Sequence, residues 1–532
     1  MKFKRMWIAV PAALALALTA CSGGTSSNTA ASGETAGDST RLIKAWSGEP
    51  QNPLIPANTN EVNGAKIINQ VMAGLVYYDL TGKTKMDVAE SITSDDDTLW
   101  TVKLQKDRKF SDGTPVKAHN FVDAWKMGAK EAMLSASFYA DIEGADDEGN
   151  GDLTGLNVVD DYTFTIKLKQ PVSDWPDRMG YAAYFPLADS TLTDPEAGGE
   201  KPVGNGPYML ESWTHQVGAK LLPNPHYVGD NKPKNNGIDL VFYTSLDAAY
   251  QDLSANNLDI LDAIPDSAFT SYMQDLQNRG LNQPSAVFQA FTIGGLDHFT
   301  GEEGKLRRQA ISMAINREEI TEAIFAGTRT PAKDFTSPVV DGFNDKIPGN
   351  EVLKYNPEKA KELWAKADAI SPWSGSFKIA YKSDGGHQAW VDAVANQLKN
   401  TLGIDAGGNP YADFKSFRSD VTKRLITTAF RAGWQADYPG QYNFLAPLYG
   451  TGGSANDGDY SNPEVDALLK QVFAGSHEDS IKTLEKIQQI LFTELPSIPL
   501  WYANTTSGWS ANVENVKFKW DGVPDYVNIT VK

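Results

Sequence analysis

The sequence predicts an α/β fold, because segments with the periodicity of strands alternate with segments that have helical periodicity. In residues 162–168, apolar side chains occupy every second position and Thr or Lys stands between them, as in a half-buried strand. Residues 100–104 repeat this pattern with Trp, Val and Leu. No internal repeat and no coiled-coil heptad is found, so we predict a mixture of strands and helices from Leu42 onward.

The same short motif marks the start of a helix at two places. Asn462 precedes Pro463 and Glu464, which supplies a side-chain cap, a proline in the first turn and an acidic first turn. An apolar stripe at helical spacing follows, made of Val465, Leu468, Leu469, Val472 and Phe473. Residues 356–358 repeat the motif, and residues 306–324 carry a third helical pattern. We therefore predict helices that begin near positions 357 and 463, and one helix over 306–324.

The N-terminus has the pattern of a signal peptide that ends in a lipidation site. Three basic residues among the first five precede an apolar run at positions 7–18, which is too short for a bilayer core that needs roughly 20 residues. The run ends in Leu-Thr-Ala followed by Cys21, the only cysteine, and resembles a bacterial lipoprotein cleavage box. We expect residues 1–20 to be removed and Cys21 to be acylated, since several acyl chains anchor a protein stably. The alternative is a buried cysteine in an ordinary signal peptide.

Residues 21–40 are predicted to form a flexible tether between the lipid and the folded chain. After the cysteine, this segment is rich in Gly, Ser, Thr and Ala and contains no aromatic or large aliphatic residue. Such a composition cannot bury enough apolar surface to fold.

Length and charge limit the classes of function. A chain of 532 residues is long enough for about two or three lobes. Its formal net charge of -19 argues against nucleic acid as a partner, because binding to a phosphate backbone needs a basic surface. Acidity does not by itself select a ligand, since it also promotes solubility.

The sequence lacks the common motifs of catalysis and metal binding. Its six histidines are scattered, and no pair has the spacing of zinc ligands. No G-x-S-x-G, H-E-x-x-H or Walker A motif occurs. Residues 146–157 faintly resemble a calcium loop, but Asn157 stands where a bidentate Glu is expected. We predict no catalytic residue, no metal and no cofactor, although an enzyme with a carboxylate pair stays possible.

Four segments have patterns that occur together, and in this order, in one known family. They are residues 110–125, 153–168, 202–208 and 306–320. Together they resemble the bacterial extracellular solute-binding proteins of family 5, which serve peptide ABC importers. The resemblance implies the two-lobed α/β fold of the large type II periplasmic-binding proteins, with a small domain inserted in the first lobe. The implied segments are 41–73, 200–290 and 506–532 for lobe I, 74–199 for the inserted domain, and 291–505 for lobe II.

The segment nearest to ligand chemistry is residues 430–439, which resembles the R-A-G-W-x-A-D-Y strand that contacts peptide in oligopeptide-binding members. The resemblance implies that Asp437 pairs with the α-ammonium group of a peptide and that Arg431 can receive its carboxylate. The strand between them would pair with the peptide backbone, because strand addition binds amides without reading side chains. Further contacts would come from Gly433, Trp434 and Gln435.

Weaker resemblances add three candidate ligand contacts. Asn60 and Val62 flank Glu61 in a segment that resembles a second peptide-contacting strand, with Asn60 where relatives have an acidic residue. Tyr139 resembles a tyrosine of the small lobe that closes over the peptide.

We therefore expect a monomeric receptor that is anchored to the cell membrane through Cys21 and faces the outside of the cytoplasm. It would capture oligopeptides between two lobes and deliver them to the permease subunits of an ABC transporter, without chemistry on the ligand and without nucleic acid. The alternatives are the same fold with another solute, such as an oligosaccharide, a nickel chelate or haem; a surface hydrolase; and an adhesin or chaperone-like protein.

Overall fold

The computed structural model describes residues 40–383, 386–412 and 414–532. The predicted signal peptide, the lipidation site Cys21 and the tether up to residue 39 lie outside the described residues. Within the described ranges, no helix combines the length and the apolarity that crossing a membrane requires.

Strands and helices are numbered here in chain order over the described residues. The strands are β1 (Ile43–Ser47), β2 (Val76–Tyr78), β3 (Thr84–Met86), β4 (Ala89–Thr93), β5 (Leu99–Leu104), β6 (Leu156–Asp160), β7 (Thr163–Lys167), β8 (Tyr208–Thr214), β9 (Gly218–Pro223), β10 (Ile238–Phe242), β11 (Ile260–Leu261), β12 (Gly280–Thr292), β13 (Arg329–Pro331), β14 (Ser376–Lys382), β15 (Asp405–Tyr411), β16 (Ala429–Gln435), β17 (Ser497–Trp509), β18 (Val513–Glu514) and β19 (Thr530–Val531). The helices are α1 (Val62–Val71), α2 (Ala118–Lys130), α3 (Trp175–Arg178), α4 (Asp189–Thr193), α5 (Pro195–Glu200), α6 (Leu246–Ser254), α7 (Tyr272–Asp275), α8 (Gly301–Met313), α9 (Arg317–Ala323), α10 (Pro357–Ile370), α11 (Gln388–Leu402), α12 (Phe414–Thr422), α13 (Tyr442–Tyr449), α14 (Pro463–Gln471) and α15 (His477–Glu494).

Most strands belong to one large mixed sheet. In the described residues it has eleven strands, ten of them in the order β15-β14-β16-β12-β17-β11-β1-β10-β9-β8, while β13 pairs with β17. The pairs β1–β10, β14–β15 and β14–β16 are parallel, and β12 is antiparallel to both β16 and β17. Helices that intervene between the parallel strands make this part of the chain α/β.

The two strands predicted from alternation are confirmed, and they form a separate sheet. They correspond to β5 and β7, which pair with each other in the four-stranded order β4-β5-β7-β6. Helix α2 packs on this sheet through Phe121, whose ring stacks on Phe164 at 5.9 Å between centroids. Segment 110–125, one of the four segments that carry the family resemblance, therefore supplies core side chains.

The two longest strands are neighbours in the middle of the large sheet, with the remaining strands on either side of them. Strands β12 and β17 have 13 residues each and pair with each other from Gly280↔Gly508 to Thr292↔Ser497. The register shifts between Pro284 and Val287 and again between Gln289 and Ala290. The lobe boundaries that the sequence predicts, at 290/291 and 505/506, thus fall inside continuous strands. The division into domains stays a prediction.

Two helix starts are confirmed, and one predicted helix is wrong. Helices α10 and α14 begin at prolines after Asn356 and Asn462, whose side chains accept hydrogen bonds from backbone N–H groups of the first turn. The helix predicted over 306–324 is two helices, α8 and α9. The break occurs because Asn316 caps α9, accepting the Glu319 N–H at 3.1 Å, and the Arg317 guanidinium donates to the Ser312 carbonyl near the end of α8 at 3.1 Å.

Candidate ligand-binding site

A cavity of about 710 Å³ lies beside the C-terminal end of β16. Its walls come from the start of α1, from β2 and the turn after it, from two aromatic segments at 134–138 and 180–185, and from the C-terminal residues 519–528. Segments distant in sequence therefore meet at this place, and the volume lies in the range typical of ligand pockets, roughly 300–1,000 Å³.

Strand β16 offers a free edge at the cavity. On one side it pairs with β12, from Val287↔Gln435 to Thr292↔Phe430. On the other side β14 pairs only with Ala429 and Phe430. Beyond Phe430, the described residues provide no strand for the second edge of β16. The backbone N–H and C=O groups of this edge are therefore available to an added strand.

Asp437 lies two residues beyond the end of β16 and lines the cavity. Asn443 holds it, since the side-chain amide donates to Asp437 Oδ2 at 3.0 Å and the side-chain carbonyl accepts the Asp437 N–H at 2.7 Å. No Lys, Arg or His of the described chain forms an ion pair with this carboxylate. Burial raises the pKa of Asp437 to about 6, and the Asn443 bond offsets only part of that increase. A cation from outside the protein would satisfy this group.

Gly433, Trp434 and Gln435 also line the cavity, so the structure brings them together with Asp437. The indole N–H of Trp434 donates to the Asn443 side-chain carbonyl at 3.3 Å, which ties the ring to the amide that holds Asp437. A Cβ at position 433 would lie 2.9 Å from the Phe288 carbonyl oxygen, closer than real Cβ contacts allow. Glycine is thus required for the approach of β16 to β12 at this point.

Arg431 lies in a second, smaller cavity of about 290 Å³ on the other side of Gly433 and Trp434, which line both cavities. Among the described residues its guanidinium has neither an ion pair nor a hydrogen bond, and burial lowers its pKa. Arg431 and Asp437 are six residues apart, at most about 20 Å in an extended chain. The structure therefore separates the two predicted terminal contacts.

Asn60 and Val62 line the large cavity, but they do not form the expected strand. Val62 is the first residue of α1, and Glu61 is its N-cap. The Glu61 carboxylate accepts the N–H groups of Asn63 and Gly64, both at 2.7 Å. A helix start replaces the strand because this acidic side chain satisfies the free N–H groups of the first turn.

Tyr139 is fully buried and does not line the cavity. Its hydroxyl donates to the Ala183 carbonyl at 2.6 Å, and its ring stacks on Trp125 at 6.5 Å between centroids. The structure therefore does not bring Tyr139 into the site. Its neighbour Phe138 lines the cavity instead and stacks on Tyr181 at 4.2 Å.

Several lining residues carry no signal in the sequence patterns. Tyr181 is close enough for the Asp437 charge to add to the effect of burial in raising the tyrosine pKa. Tyr78 and Trp520 line the cavity as an edge-to-face pair with centroids 5.9 Å apart. Among the described residues, no three His, Cys, Asp or Glu side chains are grouped so that they could hold a metal ion.

Comparison with known proteins places this geometry in one family. Residues 83–456 match the model of the bacterial extracellular solute-binding proteins, family 5 Middle. The chain belongs to this family. The resemblance inferred from the ordered segments is thereby confirmed.

Similar proteins extend over almost the whole chain. The periplasmic murein peptide-binding protein MppA of Escherichia coli is 26% identical, over 89% of this chain and 90% of that protein. The oligopeptide-binding protein OppA of Bacillus subtilis is 26% identical, over 96% and 97%. The structure of Haemophilus influenzae OppA in complex with RPPGFSPFR superposes with a TM-score of 0.73, at 22% identity and over 93% and 99% of the two chains. The chain thus has the predicted two-lobed type II α/β fold of the large peptide-binding class.

Proposed function

We propose that this chain captures oligopeptides in the cavity beside β16 and delivers them to the permease subunits of an ABC transporter. One observation carries the proposal: a free strand edge ends at a buried carboxylate that pairs with no cation among the residues the structure describes. A peptide supplies the two missing partners, a backbone for the edge and an α-ammonium group for Asp437. The similar MppA and OppA are a murein peptide-binding and an oligopeptide-binding protein, which agrees with this choice of ligand.

Binding would begin with backbone pairing. The peptide adds as a strand along residues 431–435, so its amides are satisfied whatever its side chains are. Enclosure lowers the effective dielectric, and the ammonium–Asp437 attraction is therefore stronger than that of an exposed pair. Because Gly433 has no side chain, the peptide backbone can approach the strand closely at this position.

The peptide carboxylate would bind Arg431 in the smaller cavity. A guanidinium presents two parallel N–H groups to a carboxylate, and this one has no competing partner among the described residues. The span of at most about 20 Å between Arg431 and Asp437 accommodates an extended peptide of about six residues or fewer.

Delivery requires a protein that stays near its transporter. Acylation of Cys21 would anchor the chain to the cell membrane, and residues 22–40 would allow the folded part to reorient. Closure of the two lobes over the peptide, with the small domain between residues 74 and 199 at the cleft, would present the loaded form to the permease. The protein would act as a monomer, with no catalytic step and no cofactor.

The test is a search for the natural ligand followed by titration. Native mass spectrometry of the purified protein identifies what co-purifies with it, and calorimetry with tri- to hexapeptides measures binding directly. We expect exothermic one-to-one binding of peptides that have free termini. Heat from an oligosaccharide, a nickel chelate or haem, and none from peptides, would contradict the proposal. Steady hydrolysis of a bound peptide would show a hydrolase instead.

A further inference from the structure

The large cavity is unusually acidic for a site that binds one ammonium group. Six carboxylates line it, those of Glu61, Asp79, Asp87, Asp437, Asp521 and Asp525, against the two cations Lys66 and Lys519. Lys66 is already paired, because its ammonium lies 2.8 Å from Asp262 and its side chain is almost fully buried. A zwitterionic peptide with neutral side chains brings one ammonium group into this cavity, which leaves most of the negative charge in place.

Two of these carboxylates, those of Glu61 and Asp79, are satisfied by several donors of the protein itself, and a third, that of Asp525, is held by one neighbouring amide. Glu61 caps α1, as described above. Asp79 accepts three hydrogen bonds within its own turn, from the N–H and hydroxyl of Thr81 and the N–H of Lys83. Asp525 accepts the side-chain amide of Asn528 at 2.8 Å. Glu61 and Asp79 therefore have few remaining acceptor positions for a ligand.

The other three carboxylates are short of partners. Asp437 has the single donor Asn443. Asp87 is buried, and its Oδ1 atom has no hydrogen-bond donor, with the Arg108 guanidinium 3.9 Å away. Asp521 accepts the Val523 N–H at 3.0 Å and forms no ion pair within the described chain, although Lys519, which lines the same cavity, is close enough to lower its pKa. Burial raises the pKa of all three groups, and the nearby cations Arg108 and Lys519 offset only part of that effect at Asp87 and Asp521.

Asp521 lies near the end of the cavity that would hold the peptide amino terminus. Trp520 packs against Tyr78, and Tyr78 is close enough for the Asp437 charge to act on its hydroxyl. Pro439 and Trp520 both touch Gly82, with atoms 3.0 and 3.3 Å from the position of a Cβ there. The Asp437 loop and the Trp520–Asp521 turn therefore meet at one place. A long side chain on one of the first two peptide residues can reach from the Asp437 loop to the Trp520–Asp521 turn.

We propose that Asp521 and the ring of Trp520 form a subsite for a cationic side chain, so that the cavity selects peptides with Lys or Arg at one of the first two positions. This inference rests on the proposed function and names its ligand class. A carboxylate with a free acceptor beside an aromatic ring suits a Lys ammonium or an Arg guanidinium, through charge pairing and cation–π attraction. The second positive charge also compensates more of the acidic lining.

The test uses peptide pairs that differ only in one charge. The probes are Lys-Ala-Ala-Ala and Ala-Lys-Ala-Ala, each compared by calorimetry with its Nε-acetyl-lysine counterpart. For the full mature protein, we expect at least one of the two lysine peptides to bind about tenfold tighter than its acetylated form. In Asp521→Asn that preference should disappear, while the acetylated peptides keep their affinity within about threefold.

Glu514→Gln is the matched control, because it removes one charge from the same C-terminal segment outside the cavity. It should keep the preference, which would exclude a long-range effect of net charge. A preference that is absent in the unmodified protein, or that survives in Asp521→Asn, would overturn the subsite. Unchanged binding of the acetylated peptides shows that Asp521→Asn is folded. If no peptide of either kind binds any variant, the proposed function itself has failed.

Discussion

The two cavities beside β16 differ in size and in charge. The large one contains Asp437 and an acidic lining, whereas the small one contains the guanidinium of Arg431, which has no ion pair within the described part of the chain. In the small cavity, Arg418 is neutralised by a two-pronged ion pair with Asp457, at 2.6 and 3.0 Å, so Arg431 is left as the available cation. The strand between the cavities therefore has a carboxylate near one end and a guanidinium near the other. Under the proposed function, a peptide with two free termini would fit this strand in one direction only.

The largest expected effect on peptide affinity comes from removing the carboxylate of Asp437. Asp437→Ala should weaken the binding of peptides with a free amino group about 100-fold, because a buried ammonium would lose its carboxylate. Peptides with an acetylated amino terminus should lose less than about fivefold. Calorimetry with matched free and acetylated peptides measures both. Equal losses for free and acetylated peptides would show that Asp437 does not bind the α-ammonium group. The proposed direction of peptide binding would then have no support.

The pH dependence of binding should report on the same end. The pKa of Asp437 is raised to about 6 from an ordinary value near 3.8, so protonation below that pH removes the charge that attracts the ammonium. Affinity should be full above about pH 7 and fall towards about tenfold per pH unit below the pKa. Asp87 lines the same cavity with a pKa also near 6, so the control is Asp437→Asn. A profile that is unchanged in this variant would assign the dependence to another group.

Removing the guanidinium of Arg431 should have a smaller effect on peptide affinity. Arg431→Met keeps much of the apolar stem and deletes the charge, and it should weaken binding of free-carboxylate peptides about tenfold. Peptide amides should bind the variant and the unmodified protein alike. Arg418→Met is the control, since that guanidinium is already paired with Asp457. A similar loss for acids and amides would show that Arg431 supports the cavity wall and does not contact the carboxylate.

The smallest expected effect on peptide affinity comes from removing the side-chain amide of Asn443, which holds Asp437 in place. Asn443→Ala removes a donor to Asp437 and the acceptor of the Trp434 indole, and we expect about a fivefold loss of affinity. Because the Asn443 bond lowers the pKa of Asp437, the midpoint of the pH profile should also move upward. A loss of affinity with an unmoved midpoint would mean that Asn443 only stabilises the local fold.

The comparison also shows which parts of the site could be predicted from the sequence. Residues 430–439 form one continuous strand and loop, so a linear motif places Trp434 and Asp437 correctly at the cavity. Phe138 was missed in favour of Tyr139 because a tight helical turn, Ala136–Tyr139, decides which ring faces the cavity. Trp520 and Asp521 reach the site through the packing of a C-terminal turn against Tyr78. No local pattern reports such a contact.

The fold likewise has features that local sequence patterns predict and features that depend on contacts remote in sequence. Alternation and capping motifs identified β5, β7, α10 and α14, since these signals are local. The break between α8 and α9 has a local part, the Asn316 cap, and a remote part, because the Arg317 guanidinium also donates to the Pro499 carbonyl at 2.8 Å and the Leu353 carbonyl at 2.6 Å. Those partners are remote in sequence, and their carbonyls become available only when the chain has folded.

The long pair of strands β12 and β17 has a mechanical consequence. Both strands are continuous and pair with each other in the middle of the large sheet, so the opening and closing that we propose would have to bend them. Bending is easiest where the ladder is already interrupted, near Pro284 and between Gln289 and Ala290. The second interruption lies next to the residues that pair with Trp434 and Gly433, Phe288 and Gln289. A change of angle at this point would therefore tilt β16 itself, so the proposed binding strand and the proposed opening of the cleft would be mechanically coupled.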